Sequence, residues 1–307
     1  MKYKVLFVGV GSIARRHIRN LHAIEKDSIH FEIDAVRRTI SPAEGIEHIF
    51  QETYDVPDDY DMVFITNPTE YHLSALKQYH EKGKNFFIEK PVVSVNQIKE
   101  AQEIELKKDS VYYVATPLRY NAVIQYIKTN IDPSEVISVR SISSSYLPDW
   151  RPGQDYRSTY SAHKALGGGV SIDLIHEWDY LTYLFGWPSR LHSFIGKKSG
   201  LEIDSDDYAI YIAEFNDKIV ELHLDYFGRK TIREIQLFTK EDTIIGDITN
   251  NQITFMKSGK TIQFKEERDD YQKRELIHFI SLVKKDNGLE DSFMHAVKVL
   301  ALTQGVV

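Results

Sequence analysis

Residues 1–24 read MKYKVLFVGVGSIARRHIRNLHAI. An apolar run from Val5 to Val10 is interrupted by Gly9. Gly11 and Ala14 follow, and then basic, helix-forming residues take over. A glycine turn between a buried strand and a helix is what a bound phosphate requires. Gly9 permits the tight turn, Gly11 lets a pyrophosphate approach the backbone, and Ala14 lets strand and helix pack closely. The helix, opened by Ser12 and Ile13, then presents free N–H groups to the phosphate. Taken alone the pattern is weak, and a plain glycine turn would produce it too. Its place after a strand, before a helix and at the head of repeated strand–helix units makes dinucleotide binding the stronger reading.

Working outward, strand signals at residues 3–8, 31–36, 61–66, 85–88 and 111–115 alternate with helix signals. The helix signals fall at 12–26, 69–82 and 94–108, the last with Ser94 and Gln97 as a capping box. This alternation predicts an α/β domain over residues 1–120, a doubly wound parallel sheet with helices on both faces. After residue 120 the pattern changes. A helix at 121–130 leads to a long strand at 136–146, a polar and aromatic segment, and an amphipathic helix at 170–185. Strand after strand then runs from 191 to 264, and two helices, at 271–285 and 292–304, close the chain. Residues 121–307 therefore read as an α+β domain with a large, mostly antiparallel open sheet, laid out as a meander.

Composition narrows the functional classes. The 307 residues are 42% hydrophobic and 27% charged, which suits a globular protein with a sizeable core. A formal net charge of −7 argues against a broad nucleic-acid-binding surface. With no cysteine there is no disulfide, thiolate or cysteine–metal chemistry, as expected in a reducing compartment. No apolar stretch has the length of a membrane span, and the N-terminal run is too short for a signal peptide. These features predict a soluble, cytoplasmic protein that binds neither membrane nor nucleic acid.

Four further stretches can carry chemistry. The second strand ends in EIDAVRRT (32–39). An acidic residue at that tip would bond the ribose 2′-hydroxyl of NAD, but Asp34 lies within the strand and the tip carries Arg37 and Arg38. Arginine there suits a 2′-phosphate, so NADP is favoured over NAD; the plainer alternative is a solvated turn. TNPTEYH (66–72) places Thr66, Asn67, Pro68 and His72 where ligands bind in open α/β sheets, outside the carboxyl ends of the strands. FFIEKPV (86–92) places Glu89 and Lys90 directly after a buried run, where a lysine can reach both cofactor and substrate oxygen. GGGVSIDLIHEWDYLTYLFG (167–186) sets Asp173 and His176 three apart, hence on one helix face, amid apolar residues where unpaired polar groups are costly. No histidine spacing such as HExxH occurs, so no metal is expected.

These motifs together (GVGSIARRH, TNPTEYH, IEKP and GGGVSIDLIHEWDYLTYLFG) resemble the glucose–fructose oxidoreductase / inositol dehydrogenase (Gfo/Idh/MocA) family over essentially the whole chain. The resemblance implies a Rossmann domain followed by an α/β domain whose open sheet often builds an oligomer interface. It also implies hydride transfer between NAD(P) and a sugar, cyclitol or nucleotide sugar. By the same resemblance Lys90, Asp173 and His176 are the catalytic residues. The segment around Trp150 and Arg151, with DYRSTYSA, resembles the sugar-nucleotide-modifying branch. This chain differs in the three-residue Asp–His spacing, often four in the family, in the arginine tip, and in stopping soon after its last helix.

In the resulting expectation, His176 exchanges the hydroxyl proton, Lys90 hydrogen-bonds the same oxygen and Asp173 orients its neighbours. Arg119, Tyr120, Trp150, Arg151, Tyr156 and Tyr160 are candidate substrate contacts, since aromatic rings suit sugar faces and arginines suit phosphates or carboxylates. The alternative is a sensor that binds the cofactor and does no chemistry; such a protein could lose the lysine or the histidine, and both are present. A sheet with too few helices to cover both faces predicts a homodimer or homotetramer.

Overall fold

The structure, a computed structural model, describes residues 1–25, 29–39, 41–285 and 292–307. They form two compact units, Met1–Ala115 with Arg268–Val297, and Thr116–Glu267 with Lys298–Val307.

The first unit runs β1 (Lys2–Val8), α1 (Ser12–Ala23), β2 (His30–Val36), β3 (Ile49–Phe50), β4 (Tyr60–Ile65), α2 (His72–Tyr79), β5 (Gly83–Ile88), α3 (Ile98–Gln102) and β6 (Tyr112–Val114). Lys26, the last residue of the first predicted helix, lies outside the described residues. The strands form one sheet in the order β3-β2-β1-β4-β5-β6, with every pair parallel. Burial of the central strands on both faces explains their unbroken apolar runs. Phe7, Phe64 and Phe87 stack across β1, β4 and β5 with ring centroids 4.6 and 4.8 Å apart. The helix Arg268–Lys285 sets Phe279 edge-on against Phe64 and Phe87, at 5.8 and 5.4 Å. That packing groups residues 268–297 with the first sheet, whereas a division at residue 120 puts them in the second domain. The capping box of Ser94 and Gln97 is present, but α3 ends at Gln102, short of the predicted residue 108. Beyond it the Lys107 amide donates to the Tyr112 hydroxyl at 3.1 Å instead of continuing a helical ladder.

The second unit contains α4 (Ala122–Asn130), β7 (Val136–Tyr146), α5 (Val170–Asp173), α6 (His176–Phe185), β8 (Arg190–Gly196), β9 (Tyr208–Glu214), β10 (Ile219–Asp225), β11 (Phe227–Thr239), β12 (Thr243–Asp247), β13 (Gln252–Phe255) and β14 (Thr261–Gln263). Its sheet has the order β14-β13-β12-β11-β7-β10-β9-β8. The expected meander is corrected here: β7 lies between β10 and β11, parallel to the first and antiparallel to the second. The chain passes round the end of β7, where the β11 register shifts between Phe227 and Ile232. Asp225 pins that corner by accepting from the amides of Phe227 and Gly228 at 3.0 and 2.8 Å and from the Ser144 hydroxyl at 2.9 Å.

Strand alternation divides this sheet into two faces. Val139, Tyr211, Leu222, Ile235 and Leu237 are buried, and Trp178 of α6 meets Tyr211 edge-on at 5.3 Å. On the other face Phe194, Ile212 and Ile232 are exposed. No helix of the described residues is long and apolar enough to cross a membrane.

Replacing Phe279 with alanine should destabilise the protein by about 3–5 kcal/mol, the usual cost of truncating a buried phenylalanine. Urea unfolding of Phe279→Ala measures this; a loss below about 1 kcal/mol would mean that the helix contributes little to the first unit.

Candidate functional site

In the first unit the turns after β2, β1, β4 and β5 lie side by side at the carboxyl edge of the sheet. Gly9, after β1, has φ +91°, and a Cβ there would lie 2.8 Å from Cα of Asn67, after β4. The Thr66 hydroxyl donates to the Gly9 carbonyl at 2.8 Å and ties the two turns together. Gly11 differs, because a Cβ there would meet nothing within 4 Å. Gly11 caps α1 without a side-chain hydrogen bond, and the first turn holds no acidic residue. Open space therefore adjoins a helix start whose first N–H groups have no helical partner, as an anion site requires. Asn67 Oδ1 is also buried without a hydrogen-bond partner. The cradle at Gly11 and this orphaned oxygen fit a dinucleotide, which the amides at Ser12 and Ile13 would hold by its phosphates.

The neighbouring groups are placed as follows. Asp34 is occupied, accepting from the Tyr60 hydroxyl at 2.7 Å and from the amide and ring of His48 at 3.0 and 2.9 Å. Arg37 folds back onto the Thr39 carbonyl and the Ser41 hydroxyl, whereas Arg38 is exposed. His72 is buried, its ring nitrogens 3.0 and 2.9 Å from the carbonyls of Pro91 and Asn67. Burial lowers its pKa, and the hydrogen bond to the Asn67 carbonyl opposes that shift; in its neutral form the ring donates to only one of the two carbonyls. Glu89 is buried, with Oε1 2.6 Å from Nε2 of His17 and Oε2 accepting from the Lys90 amide at 3.2 Å. Burial pushes its carboxyl up, but the hydrogen bond to His17 and the neighbouring Lys90 outweigh it, and the net shift is downward. Sequence reasoning named Glu89 but missed its partner, His17.

In the second unit the predicted 170–185 helix is broken. The chain turns at Leu174 and Ile175, between α5 and α6, with the Ile175 amide donating to the Ile172 carbonyl in place of a four-residue helical bond. Asp173 and His176 therefore do not share a face of one continuous helix, as their spacing had suggested. The glycines before α5 serve close approach. A Cβ on Gly168 would lie 2.1 Å from the Tyr160 carbonyl, and one on Gly169, with φ +134°, would lie 2.2 Å from Oδ1 of Asp206. Asp206 takes that space and accepts from the Ser171 amide at 2.9 Å.

This arrangement brings Tyr160 and Asp173 together. Asp173 accepts from the Tyr226 hydroxyl at 2.6 Å; burial first, and then the charge of Asp173, raise the Tyr160 phenol above its ordinary range. Burial and then the charge of Asp173 raise the Tyr226 phenol well above its ordinary range, so it stays a neutral donor. Trp150 meets the Tyr226 ring edge-on at 5.2 Å, and the Arg151 guanidinium lies over the Tyr160 ring at 5.3 Å. Trp150, Arg151, Tyr160 and Asp173 thus form one cluster around Tyr226, a residue the sequence reading missed because it follows the alternating strand β10 and looks like core.

Of the remaining candidates, Tyr156 lines a small cavity together with Trp150 and Arg151. Arg119 makes a two-pronged pair with Asp179 of α6, at 2.9 and 2.5 Å. Tyr156 accepts from the Glu202 amide at 3.1 Å. Tyr120 ends a short turn over Pro117–Tyr120. His176 opens α6 and is partly exposed. Among the described residues no group of three or more histidine, cysteine or carboxylate side chains is arranged to hold a metal.

Comparison with known proteins accords with this layout. A family model described as "Oxidoreductase family, NAD-binding Rossmann fold" matches residues 3–116, and one described as "GFO/IDH/MocA C-terminal domain" matches residues 124–258. An uncharacterized oxidoreductase, YrbE, of Bacillus subtilis (strain 168) is 27% identical over 186 residues, 58% of this chain and 52% of that protein. The scyllo-inositol 2-dehydrogenase (NAD(+)) of the same organism is 28% identical over 146 residues, 46% of this chain and 41% of that protein. The chain thus spans about half the length of the curated relatives it matches. A solved levoglucosan dehydrogenase in complex with NADH superposes with a TM-score of 0.85 over 100% of this chain and 96% of that one; at 16% identity it is a likeness of fold. The chain belongs to the Gfo/Idh/MocA oxidoreductase family, and its first unit carries that family's NAD(P)-binding Rossmann domain.

The two glycines of the turn should separate in their effects. Gly9→Ala should cost about 1–3 kcal/mol, from a positive φ and a backbone clash. Gly11→Ala should melt close to the parent while weakening NADPH binding. Thermal melts beside NADPH fluorescence titrations measure both; unchanged NADPH affinity in Gly11→Ala would remove the phosphate cradle.

Proposed function

We propose that this protein is an NAD(P)-dependent dehydrogenase or reductase acting on the CH–OH or keto group of a sugar, cyclitol or nucleotide sugar. The observation that carries this reading is the open cradle at Gly11, at an uncapped helix start, on the same sheet edge as the turn bearing Lys90. The nicotinamide cofactor, when bound, supplies or receives the hydride. The remaining work falls to the chain's own side chains. In oxidation His176 accepts the hydroxyl proton, as an imidazole titrating near neutral pH can. The Lys90 ammonium hydrogen-bonds a substrate oxygen and stabilises its negative charge. Asp173, held by Tyr226, orients the groups around it. In reduction the proton moves the other way.

Trp150, Arg151 and Tyr160 are the foremost substrate contacts: two aromatic rings for a sugar face, and an exposed guanidinium for an anionic substituent. Arg119, bound to Asp179, would act mainly by steadying α6, and Tyr120 and Tyr156 are further contacts in this reading. NADP is the preferred cofactor, because exposed Arg38 suits a 2′-phosphate and Asp34 is already engaged. A second copy of the chain would cover the sheet face that carries Phe194, Ile212 and Ile232, giving a homo-oligomer. A cytoplasmic setting suits a chain without cysteine.

NADPH oxidation with a panel of keto-sugars tests the chemistry. His176→Ala should lose about 10²–10⁴-fold in kcat, the usual yield of general acid–base catalysis, with NADPH affinity little changed. Lys90→Ala should lose at least as much. Normal kcat in folded His176→Ala removes the assignment.

Cofactor choice is tested separately by titrating NADPH and NADH. The parent should bind NADPH more tightly, and Arg38→Ala should shrink that preference roughly tenfold, about one charge-assisted hydrogen bond. Equal affinities in the parent would refute the preference.

A further inference from the structure

His17 stands on the buried side of α1, at the end of the GVGSIARRH stretch, and is 1% exposed. Its ring meets Phe87 edge-on at 5.0 Å and lies 6.0 Å from Phe64. Nε2 is 2.6 Å from Oε1 of Glu89, while Nδ1 is buried with no hydrogen-bond partner. This pattern assigns the tautomer. A buried N–H without an acceptor costs more than a buried lone pair without a donor, so the proton sits on Nε2 and is donated to Glu89. The other oxygen of Glu89 accepts from the amide of Lys90. One carboxylate thus links the first helix to the backbone of the lysine after β5.

We propose that His17 is a positioning residue for Lys90, acting through Glu89 to fix the lysine's backbone and to keep an ionised carboxylate beside its ammonium group. A core histidine needed only to fill space would not have to aim a donor at a buried acid. A buried acid without a donor would take up a proton, because desolvation opposes its charge. The ionisable groups facing Glu89 are His17 from α1, Lys90 next in the chain and His72 from α2. His72 lies between two backbone carbonyls. The short contact from His17 is the largest of the influences that hold the carboxylate ionised. This proposal rests on the dehydrogenase reading for the role of Lys90, but not for the charge of Glu89.

The test uses the full chain and the variants His17→Leu, which removes the donor, and His17→Gln, which supplies an amide N–H instead. Protein carrying ¹³C-labelled glutamate carboxyls reports Glu89 directly, its signal assigned with Glu89→Gln. In the parent and in His17→Gln the carboxyl should titrate below the ordinary range for glutamate; in His17→Leu it should titrate above that range. In parallel, kcat should fall roughly ten- to a hundredfold in His17→Leu, the scale of a small misplacement of a catalytic group. His17→Gln should recover most of it, and NADPH affinity, read by fluorescence, should stay near the parent's in both. A Glu89 carboxyl that stays low in His17→Leu overturns the proposal, as does a kcat loss that merely follows melting temperature and is equal in the two variants. A parent that reduces none of the keto-sugars overturns the dehydrogenase reading and with it the catalytic role of Lys90; the glutamate titration then still decides whether His17 sets the charge of Glu89.

Discussion

The close approach of the turn after β1 to the turn after β4 is the constraint on which the nucleotide-binding unit depends. A side chain at residue 9 would stand 2.8 Å from the Asn67 backbone, and the Thr66 hydroxyl bonds the Gly9 carbonyl across the same gap. Because these turns touch, α1 starts directly beside the end of β4 with its first N–H groups uncovered. Because β5 is the next strand along, Glu89 and Lys90 come to the same edge. His72 and Glu89 then fasten the edge from below: one spans the carbonyls of Asn67 and Pro91, and the other joins α1 to the Lys90 amide. The apolar stack of Phe7, Phe64, Phe87 and Phe279 beneath them gives that edge a rigid support.

The second unit solves a different problem, namely how to hold an acid among aromatic rings. The corner round the end of β7 delivers Tyr226 into the interior, and the glycine run lets residues 160–161 lie against the start of α5. Asp173 then accepts from the Tyr226 hydroxyl, with Tyr160 near enough to feel its charge. The break at Leu174 and Ile175 follows from this packing. A continuous helix would hold Asp173 and His176 to one stripe, whereas the break leaves Asp173 buried with the tyrosines and His176 at the partly exposed head of α6.

The chain order of strands and helices, the parallel character of the first sheet, the long strand at 136–146 and the glycine turn were all legible in the sequence. They depend on local periodicity and on residues with special backbone freedom, and both are written along the chain. The same holds for the membership of Gly9, Gly11, Thr66, Asn67, Glu89 and Lys90 in one edge, because strand ends of a parallel sheet must fall together. What only the tertiary structure decided are pairings between residues far apart in the chain: His17 with Glu89, Asp34 with Tyr60 and His48, Arg119 with Asp179, Tyr226 with Asp173, and Phe279 with Phe64 and Phe87. The insertion of β7 between β10 and β11 belongs with these, as does the break between Asp173 and His176. Each turns on which buried polar or aromatic group finds a partner in space, and a one-dimensional pattern records that a residue is buried without recording what it is buried against.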